Sequence, residues 1–160
     1  MNTLIAYFSK YGCSEKCAIN LSKKLNGNVD LLNLKKSGSI DLSKYDKVII
    51  GGPIYIGKIS KEVSQFCSEN LDLLKTKKLG LYICGMREND YIDIQINASF
   101  PKDLIDNATS VEYFGGEFIF EKMNFIDRLI TKKVAKVNNN VSNILEENID
   151  KLARVMNNIQ

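Results

Sequence analysis

The chain has 160 residues, of which 44% are hydrophobic and 26% are charged, and its formal net charge at pH 7 is +3. These values are typical of a soluble globular protein that buries a real core, and we expect a single domain over residues 1–160. The charge is too small to indicate nucleic acid as a partner. No apolar run approaches the ~18 residues of a membrane-spanning helix, and no signal peptide is recognisable at the N-terminus, so we expect a cytoplasmic location.

Histidine is absent from the chain, which excludes Ser-His and Cys-His catalysis. The cysteines are scattered without a paired spacing, and we expect no disulfide framework in a cytosolic chain of this size. A zinc site would need all four thiols to converge, and we do not expect one. The cysteines are Cys13, Cys17, Cys67 and Cys84.

The N-terminal stretch predicts an anion site. Residues 3–8 are an apolar run that predicts a buried strand, and a helical pattern begins at Ser14. The intervening turn aims backbone N–H groups and a helix N-terminus at one point, which suits a phosphate. The hydroxyls of Ser9 and Ser14 can donate to phosphate oxygens, and Gly12 lets the backbone approach them. An ordinary strand-to-helix turn is the alternative.

The remaining elements follow from apolar periodicity and from turn residues. We predict a helix from about Ser14 to Leu25, a second strand at Val29–Leu34 and a central strand at Lys47–Gly51. A loop shaped by two glycines and Pro53 follows, and Ser60 can cap the next helix. The later elements are a strand at Lys78–Cys84, a helix at 92–106 interrupted at Pro101, a strand at Val111–Ile119 broken by two glycines, and helices at about 125–137 and 144–159.

Alternating strands and helices of this kind predict an α/β fold, with a doubly wound, five-stranded parallel sheet covered by helices on both faces. The flavodoxin-like order 2-1-3-4-5 places a switch point between strands one and three. Ligands bind there, outside the carboxyl ends of the strands. The turn at 9–14 and the loop at 52–58 both arrive at that crevice.

Three loops resemble those with which the flavodoxin family binds flavin mononucleotide (FMN). Residues 9–14 follow the family's pattern of a hydroxyl, two residues, glycine, any residue and a hydroxyl. Residues 46–55 resemble its third strand and second flavin loop: aspartate, an apolar strand, small residues, proline, an apolar residue and an aromatic. Residues 84–86 match the third loop loosely. The resemblance covers roughly residues 1–120.

This resemblance implies FMN as the cofactor, with its phosphate on the 9–14 turn and its ring between the second and third loops. A flat apolar ring needs a face to stack on, and Tyr55 is suited to that role; a surface aromatic is the alternative. For Cys84 and Met86, packing at the strand end is the alternative. The residues expected to contact FMN are Ser9, Lys10, Tyr11, Gly12, Cys13, Ser14, Pro53, Ile54, Tyr55, Ile56, Gly57, Cys84, Gly85, Met86 and Tyr91.

Residues 54–59 and the Gln65-Phe66 pair in the next helix resemble the menaquinone-dependent protoporphyrinogen oxidase branch of the family, as do residues 114–116 and 124–130. This implies an FMN oxidoreductase in which the flavin does the chemistry, so we name no catalytic residue. The slightly basic charge and a helical C-terminal segment at about 121–160 favour an enzyme. The alternatives are an electron-transfer flavodoxin acting between redox proteins and a cofactor-less interaction module. The expected partner is a redox protein or a small electron donor or acceptor.

Two further features have open interpretations. The apolar stripe of residues 125–137 carries lysines on its opposite face; we favour packing on the sheet over contact with an anionic membrane. Cys13 at a helix N-terminus could have its pKa lowered by the helix or raised by a phosphate, or could be only a small residue that fits.

Overall fold

A parallel sheet forms the centre of the protein, as seen in a computed structural model that describes residues 1–36, 38–87 and 89–158. Its order is β2-β1-β3-β5-β6, which confirms the predicted flavodoxin-like topology. The strands are β1 (Asn2–Tyr7), β2 (Asn28–Asn33), β3 (Lys47–Tyr55), β4 (Lys58–Ile59), β5 (Lys78–Cys84), β6 (Ser110–Tyr113), β7 (Gly115–Phe118) and β8 (Val141–Ile144).

Helices cover both faces of this sheet. They are α1 (Cys13–Ser22), α2 (Lys61–Glu69), α3 (Leu71–Leu74), α4 (Ile92–Ser99), α5 (Lys102–Asn107), α6 (Phe125–Ala135) and α7 (Glu146–Asn158). The predicted break at Pro101 is confirmed, since α4 and α5 flank that residue. The last helix begins two residues later than expected, and its predicted end, Ile159, lies outside the described residues.

The core consists of two apolar layers because successive side chains of a strand point to opposite faces. In β1, Leu4 belongs to the layer beneath α2 to α5, whereas Ile5 belongs to the layer beneath α1 and α7. In the layer beneath α1 and α7, position 51 must be glycine, because a Cβ there would lie 2.2 Å from the Tyr82 ring. That ring stacks on Phe114 with centroids 4.5 Å apart.

The predicted interruption of the Val111–Ile119 strand at its two glycines is confirmed, but the two parts are separate strands in different sheets. The chain leaves the parallel sheet after Tyr113, and Gly115 adopts a left-handed conformation with φ of 70°. Residues 115–118 then pair antiparallel with β8, a strand that the sequence pattern did not predict. This two-stranded ribbon lies beside the carboxyl end of β5, because the Gly85 amide donates to the Gly115 carbonyl over 2.9 Å.

The loop after β3 is a short hairpin. Residues 54–55 pair antiparallel with β4, and Ile56 and Gly57 at its tip have positive φ values of 49° and 74°. Ser60 occupies the N-cap position of α2 as predicted, but its side chain makes no capping hydrogen bond. Together, the carboxyl ends of β1, β3 and β5 bring three loops to one edge of the sheet.

Candidate functional site

The turn at residues 9–14 has the geometry of an anion site. Gly12 precedes α1 with φ of 97°, and its amide donates to Ser9 Oγ over 3.0 Å. Within the described part of the chain, no side chain caps the N-terminus of α1. Ser14 Oγ is buried and has no hydrogen-bond partner among the described residues. A buried hydroxyl without a partner is costly, so Ser14 is suited to a ligand that supplies an acceptor.

Cationic side chains surround this turn. Lys122, from a short 3-10 turn at residues 120–122, places Nζ 3.5 Å from the position that a Cβ on Gly12 would occupy. Lys10 belongs to the turn itself and forms an ion pair of 2.6 Å with Asp127. Lys122 was not predicted from the sequence, since 110 positions separate it from Gly12 and no local pattern links the two.

Asp127 joins the first two loops to the C-terminal segment. Its carboxylate accepts hydrogen bonds from the hydroxyls of Tyr11 and Tyr55 as well as from Lys10, and only 5% of the residue is exposed. Burial acts to raise the pKa of Asp127, but the hydrogen bonds from Lys10, Tyr11 and Tyr55 outweigh it and lower the pKa to about 2. The Asp127 amide donates to the Asn124 side chain over 2.8 Å, so the carboxylate is fixed at the start of α6.

Tyr55 is held from two directions. Its hydroxyl donates to Asp127, and the ammonium of Lys10 lies 4.4 Å from the centre of its ring. A cation over an aromatic face is favourable. The ring therefore has one face against Lys10 and one edge fixed by Asp127, and 37% of the residue remains exposed.

The third loop is fixed by its neighbours at the end of β5. The Tyr113 hydroxyl donates to the carbonyl oxygens of Gly85 and Arg87, over 2.5 Å and 2.8 Å. Gly116 lies so close that a Cβ there would be 2.7 Å from the Gly85 oxygen. Only glycine permits this approach, which makes Gly116 part of the site although the sequence interpretation assigned it no role.

The three loops and the C-terminal segment enclose a cavity of about 530 Å³, which we call the main cavity. Its volume is in the range of small-ligand sites, about 300–1,000 Å³. It is lined by Phe8, Ser9, Lys10, Tyr11, Cys13, Ser14, Pro53, Ile54, Tyr55, Ser60, Lys61, Glu62, Cys84, Gly85, Met86, Gly116, Glu117, Phe118, Met123 and Thr131.

Four of the residues expected to contact FMN do not line the main cavity. Gly12, the residue preceding α1, lines a different cavity. Ile56 and Gly57 form the hairpin tip and line a neighbouring cavity. Tyr91 is 55% exposed and packs beneath Arg87, whose guanidinium carbon is 5.4 Å from the ring centre. The other predicted residues are brought together around one space.

Several lining residues were missed by the sequence interpretation. Ser60 was read as a helix cap, but its buried Oγ has no partner within the described part of the chain and it lines the main cavity. Phe118, Met123 and Thr131 form the wall contributed by the C-terminal segment. The one usable signal was Asn124 followed three residues later by Asp127, a capping pattern that marks the start of α6.

A second cavity of about 340 Å³, the outer cavity, adjoins the main one. The two share residues from the second and third loops and from the C-terminal wall. The outer cavity is lined by Ile54, Tyr55, Ile56, Gly57, Gly85, Met86, Arg87, Gln95, Phe118, Ile130, Thr131, Val134, Ala135 and Val137.

The expected packing of α6 on the sheet through its apolar stripe is wrong. Phe125, Ile126, Leu129 and Val134 are 74%, 67%, 51% and 59% exposed, whereas the buried residues of α6 are polar. The reason is that Asp127 and Thr131 face inward, where Asp127 meets its three donors. Within the described residues, no helix combines the length and apolarity that a membrane crossing needs.

The cysteines are not scattered in space. The sulfur atoms of Cys13, Cys17 and Cys84 all lie within 4.8 Å of one another at the floor of the main cavity, whereas Cys67 is buried in the opposite core layer. Hydrogen bonds with the thiols of Cys17 and Cys84 lower the pKa of Cys13 to about 3, whereas the hydrogen bond with Cys13 raises the pKa of Cys17 to about 12. The structure therefore favours the lowered direction for Cys13.

Comparison with known proteins assigns the fold to a family. The flavodoxin domain family matches residues 4–144. The flavodoxin of Streptococcus pneumonia TIGR4 superposes with a TM-score of 0.57 and 15% identity, over 98% of this chain and 97% of its own. A comparison with curated proteins finds no match.

Two larger proteins contain the same fold. Rubredoxin oxygen:oxidoreductase from Desulfovibrio gigas aligns with a TM-score of 0.56 and 16% identity over 97% of this chain. The Flv1 flavodiiron core from Synechocystis sp. PCC6803 aligns with a TM-score of 0.52 and 19% identity over 72% of this chain. The chain spans 36% and 30% of their respective lengths. These structures show similarity of fold.

Proposed function

Because the chain belongs to the flavodoxin family, whose cofactor is FMN, we propose that FMN binds in the main cavity and that the protein passes electrons through it. When bound, FMN carries one or two electrons between a donor and an acceptor. The observation that carries the proposal is the pair of buried hydroxyls at Ser14 and Ser60, which line the main cavity and have no partner among the described residues. A ligand with polar atoms would supply hydrogen-bond partners for both hydroxyls.

The roles of the residues follow from their positions. Ser9, Ser14 and the amides at the start of α1 would hold the phosphate, with Lys122 adding positive charge. The ring would lie between the second and third loops, with Tyr55 and Met86 on either side. Backbone amides of these glycine-rich loops would adjust the reduction potential by hydrogen bonding to the ring.

The finer proposal is an FMN-dependent oxidoreductase that acts on a small apolar substrate. It is supported by the outer cavity, which shares the walls of the main cavity and so gives a second molecule access to the flavin. The lining of the outer cavity is mostly apolar, and among the described residues Arg87 is its one cationic side chain. A flat apolar molecule with a polar or anionic group fits this chemistry.

The outer cavity also supports our proposal that the protein is related to the menaquinone-dependent protoporphyrinogen oxidase branch. The stretches that resemble that branch, residues 54–59 and 124–130, both contribute to the lining of the outer cavity, for example through Ile56 and Ile130. A quinone or a porphyrinogen is therefore the substrate class to test first. Residues 87–108 hold more acidic than basic side chains, which favours the less anionic quinone.

A pair of substitutions on α6 tests the substrate proposal. Val134 lines the outer cavity and is 59% exposed, whereas Phe125 is 74% exposed and lines neither cavity. We expect Val134→Glu to raise the KM for a soluble quinone at least about tenfold while leaving FMN affinity unchanged, because a charge disfavours apolar binding. Phe125→Glu is the matched control and should leave KM unchanged. Equal KM values for both variants would contradict a substrate site in the outer cavity.

The rival function is electron transfer between redox proteins. It predicts efficient reduction by a flavodoxin reductase and no saturable turnover of a quinone or porphyrinogen. Steady-state assays with both kinds of partner on the FMN-loaded protein separate the two functions. Saturable turnover supports the oxidoreductase, and exchange with protein partners alone supports the carrier.

We also propose that α6 docks on an anionic membrane surface. Its exposed apolar side chains, led by Phe125 and Ile126, share the solvent side of the helix with Lys132 and Lys133. Apolar side chains inserted among headgroups and lysines near anionic lipid stabilise such a contact.

Vesicle sedimentation tests the membrane proposal. We expect binding to phosphatidylglycerol vesicles that is lost when Lys132, Lys133 and Lys136 become Glu. The control changes Lys35, Lys36 and Lys44 to Glu, which alters the net charge equally at exposed positions outside α6. No binding by the native protein, or equal loss in both variants, would contradict a role for α6.

A further inference from the structure

Three thiols meet at the floor of the main cavity, and the roles proposed above for FMN binding use none of these thiols. Cys13 is the first residue of α1, Cys17 lies one helical turn later, and Cys84 is the last residue of β5. Their sulfur atoms lie within 4.8 Å of one another. The first and last of these residues are 71 positions apart in the chain, so the topology of the sheet brings them together.

The burial of the cluster leaves one open side. Cys17 and Cys84 are 1% and 2% exposed, whereas Cys13 is partly exposed. Cys13 and Cys84 line the main cavity. An ion can therefore reach the sulfur atoms from the cavity, while Cys17 closes the cluster from behind.

The spacing suits a single ion. With a metal–sulfur bond of about 2.3 Å, three sulfurs in a plane around one ion are about 4 Å apart. Sulfur atoms that start 4.8 Å apart reach this spacing when each moves inward by about 0.5 Å. Thiolates select soft ions, among which Cu(I) and Zn(II) are the common choices.

The number and kind of ligands available here distinguish Cu(I) from Zn(II). Structural zinc sites take four protein ligands, usually cysteine or histidine. The chain has no histidine, and its fourth cysteine, Cys67, lies in the opposite core layer. Monovalent copper is stable with three sulfur ligands and needs no fourth. We propose that Cys13, Cys17 and Cys84 form a trithiolate site for Cu(I) at the floor of the main cavity.

The test uses the reduced, full-length protein and Cu(I) buffered by a chromophoric Cu(I) chelator under anaerobic conditions. We expect one tightly held Cu(I) per chain, with the near-ultraviolet absorption of a copper–thiolate centre. Cys17→Ser should weaken binding at least about 100-fold, because loss of a direct ligand should exceed the 10–100-fold typical of an outer-shell partner. Cys67→Ser is the matched control: it makes the same change at a fully buried cysteine outside the cluster and should retain the affinity.

A second measurement does not depend on the folding of any variant. X-ray absorption of the copper-loaded native protein should give three sulfur neighbours at about 2.3 Å. Two sulfurs, or nitrogen and oxygen neighbours, would overturn the proposal. So would absence of Cu(I) binding, equal loss in both variants, or four-coordinate zinc bound in preference to copper. FMN binding is measured separately, so failure of the copper site leaves the flavin proposal standing.

Discussion

Replacing Asp127 by Asn removes the charge that joins α6 to the first two loops. In the native protein the carboxylate accepts hydrogen bonds from Lys10, Tyr11 and Tyr55. The amide of Asn keeps one acceptor oxygen, so part of the hydrogen bonding survives. The interaction with the Lys10 ammonium and at least one hydroxyl contact are lost. We expect Asp127→Asn to destabilise the protein and to loosen α6 over the main cavity.

The expected magnitude is about 1.5 kcal/mol. Loss of a hydrogen bond to a charged group costs about 1.5–3 kcal/mol. The lowered pKa of Asp127, about 2 against the usual 3.8, gives an upper bound of roughly 2.5 kcal/mol at about 1.4 kcal/mol per pKa unit. Solvent around Lys10, whose side chain is 40% exposed, screens part of this. For a chain of this size, the melting temperature should fall by about 3–6 °C.

Thermal unfolding with a matched control measures this effect. Asp150 pairs with Lys24 over 2.5 Å, but its side chain is 48% exposed. Asp150→Asn should therefore cost at most about 0.5 kcal/mol, because exposed pairs contribute little. If the two variants melt within about 1 °C of each other, Asp127 does not stabilise the fold as the structure implies.

The effect should also depend on pH in a defined direction. The folded-state pKa of Asp127 lies below its unfolded value, so its stabilisation is fully present above pH 3.8 and is lost as the pH falls towards about 2. The difference in stability between native protein and Asp127→Asn should shrink over that window. A difference that persists unchanged to pH 2 would show that the charge is not its source.

Two further substitutions test the site and its outer wall. Phe125→Ala should change stability by no more than about 0.5 kcal/mol, since the residue is 74% exposed; a loss of about 3–5 kcal/mol in chemical denaturation would show that the stripe is buried after all. Gly116→Ala should cost about 1–3 kcal/mol and weaken FMN binding, because its Cβ would lie 2.7 Å from the Gly85 oxygen. Gly38→Ala, where nothing lies within 4 Å of the new Cβ, is its control and should change neither property.

The parallel sheet was predictable because its signals are local. The continuous apolar run at Lys47–Gly51 predicts a strand buried on both faces, and the order of strands and helices fixes the topology. The strand at Lys78–Cys84 matches its observed bounds. The break at Pro101 follows from the missing amide of proline.

The outer wall was not predictable, since its contacts join distant parts of the chain. Asp127 meets Tyr11 and Tyr55 across 116 and 72 positions. The usual rule that an apolar stripe faces the core fails for α6, because a polar contact determines which side of the helix is inward. The turn of the chain at Gly115 depends on a left-handed backbone, for which the sequence offers only a pair of glycines.

The most direct measurement is a titration of the purified protein with FMN and, in parallel, with riboflavin, which lacks the phosphate. The proposal predicts one FMN per chain and at least about tenfold weaker binding of riboflavin, which corresponds to about 1.4 kcal/mol from the phosphate contacts. Ser14→Ala should weaken the binding of FMN but not that of riboflavin, so the difference between the two affinities should become smaller. Equal affinity for both flavins would contradict a phosphate site at residues 9–14, and failure to bind either would contradict the flavin function itself.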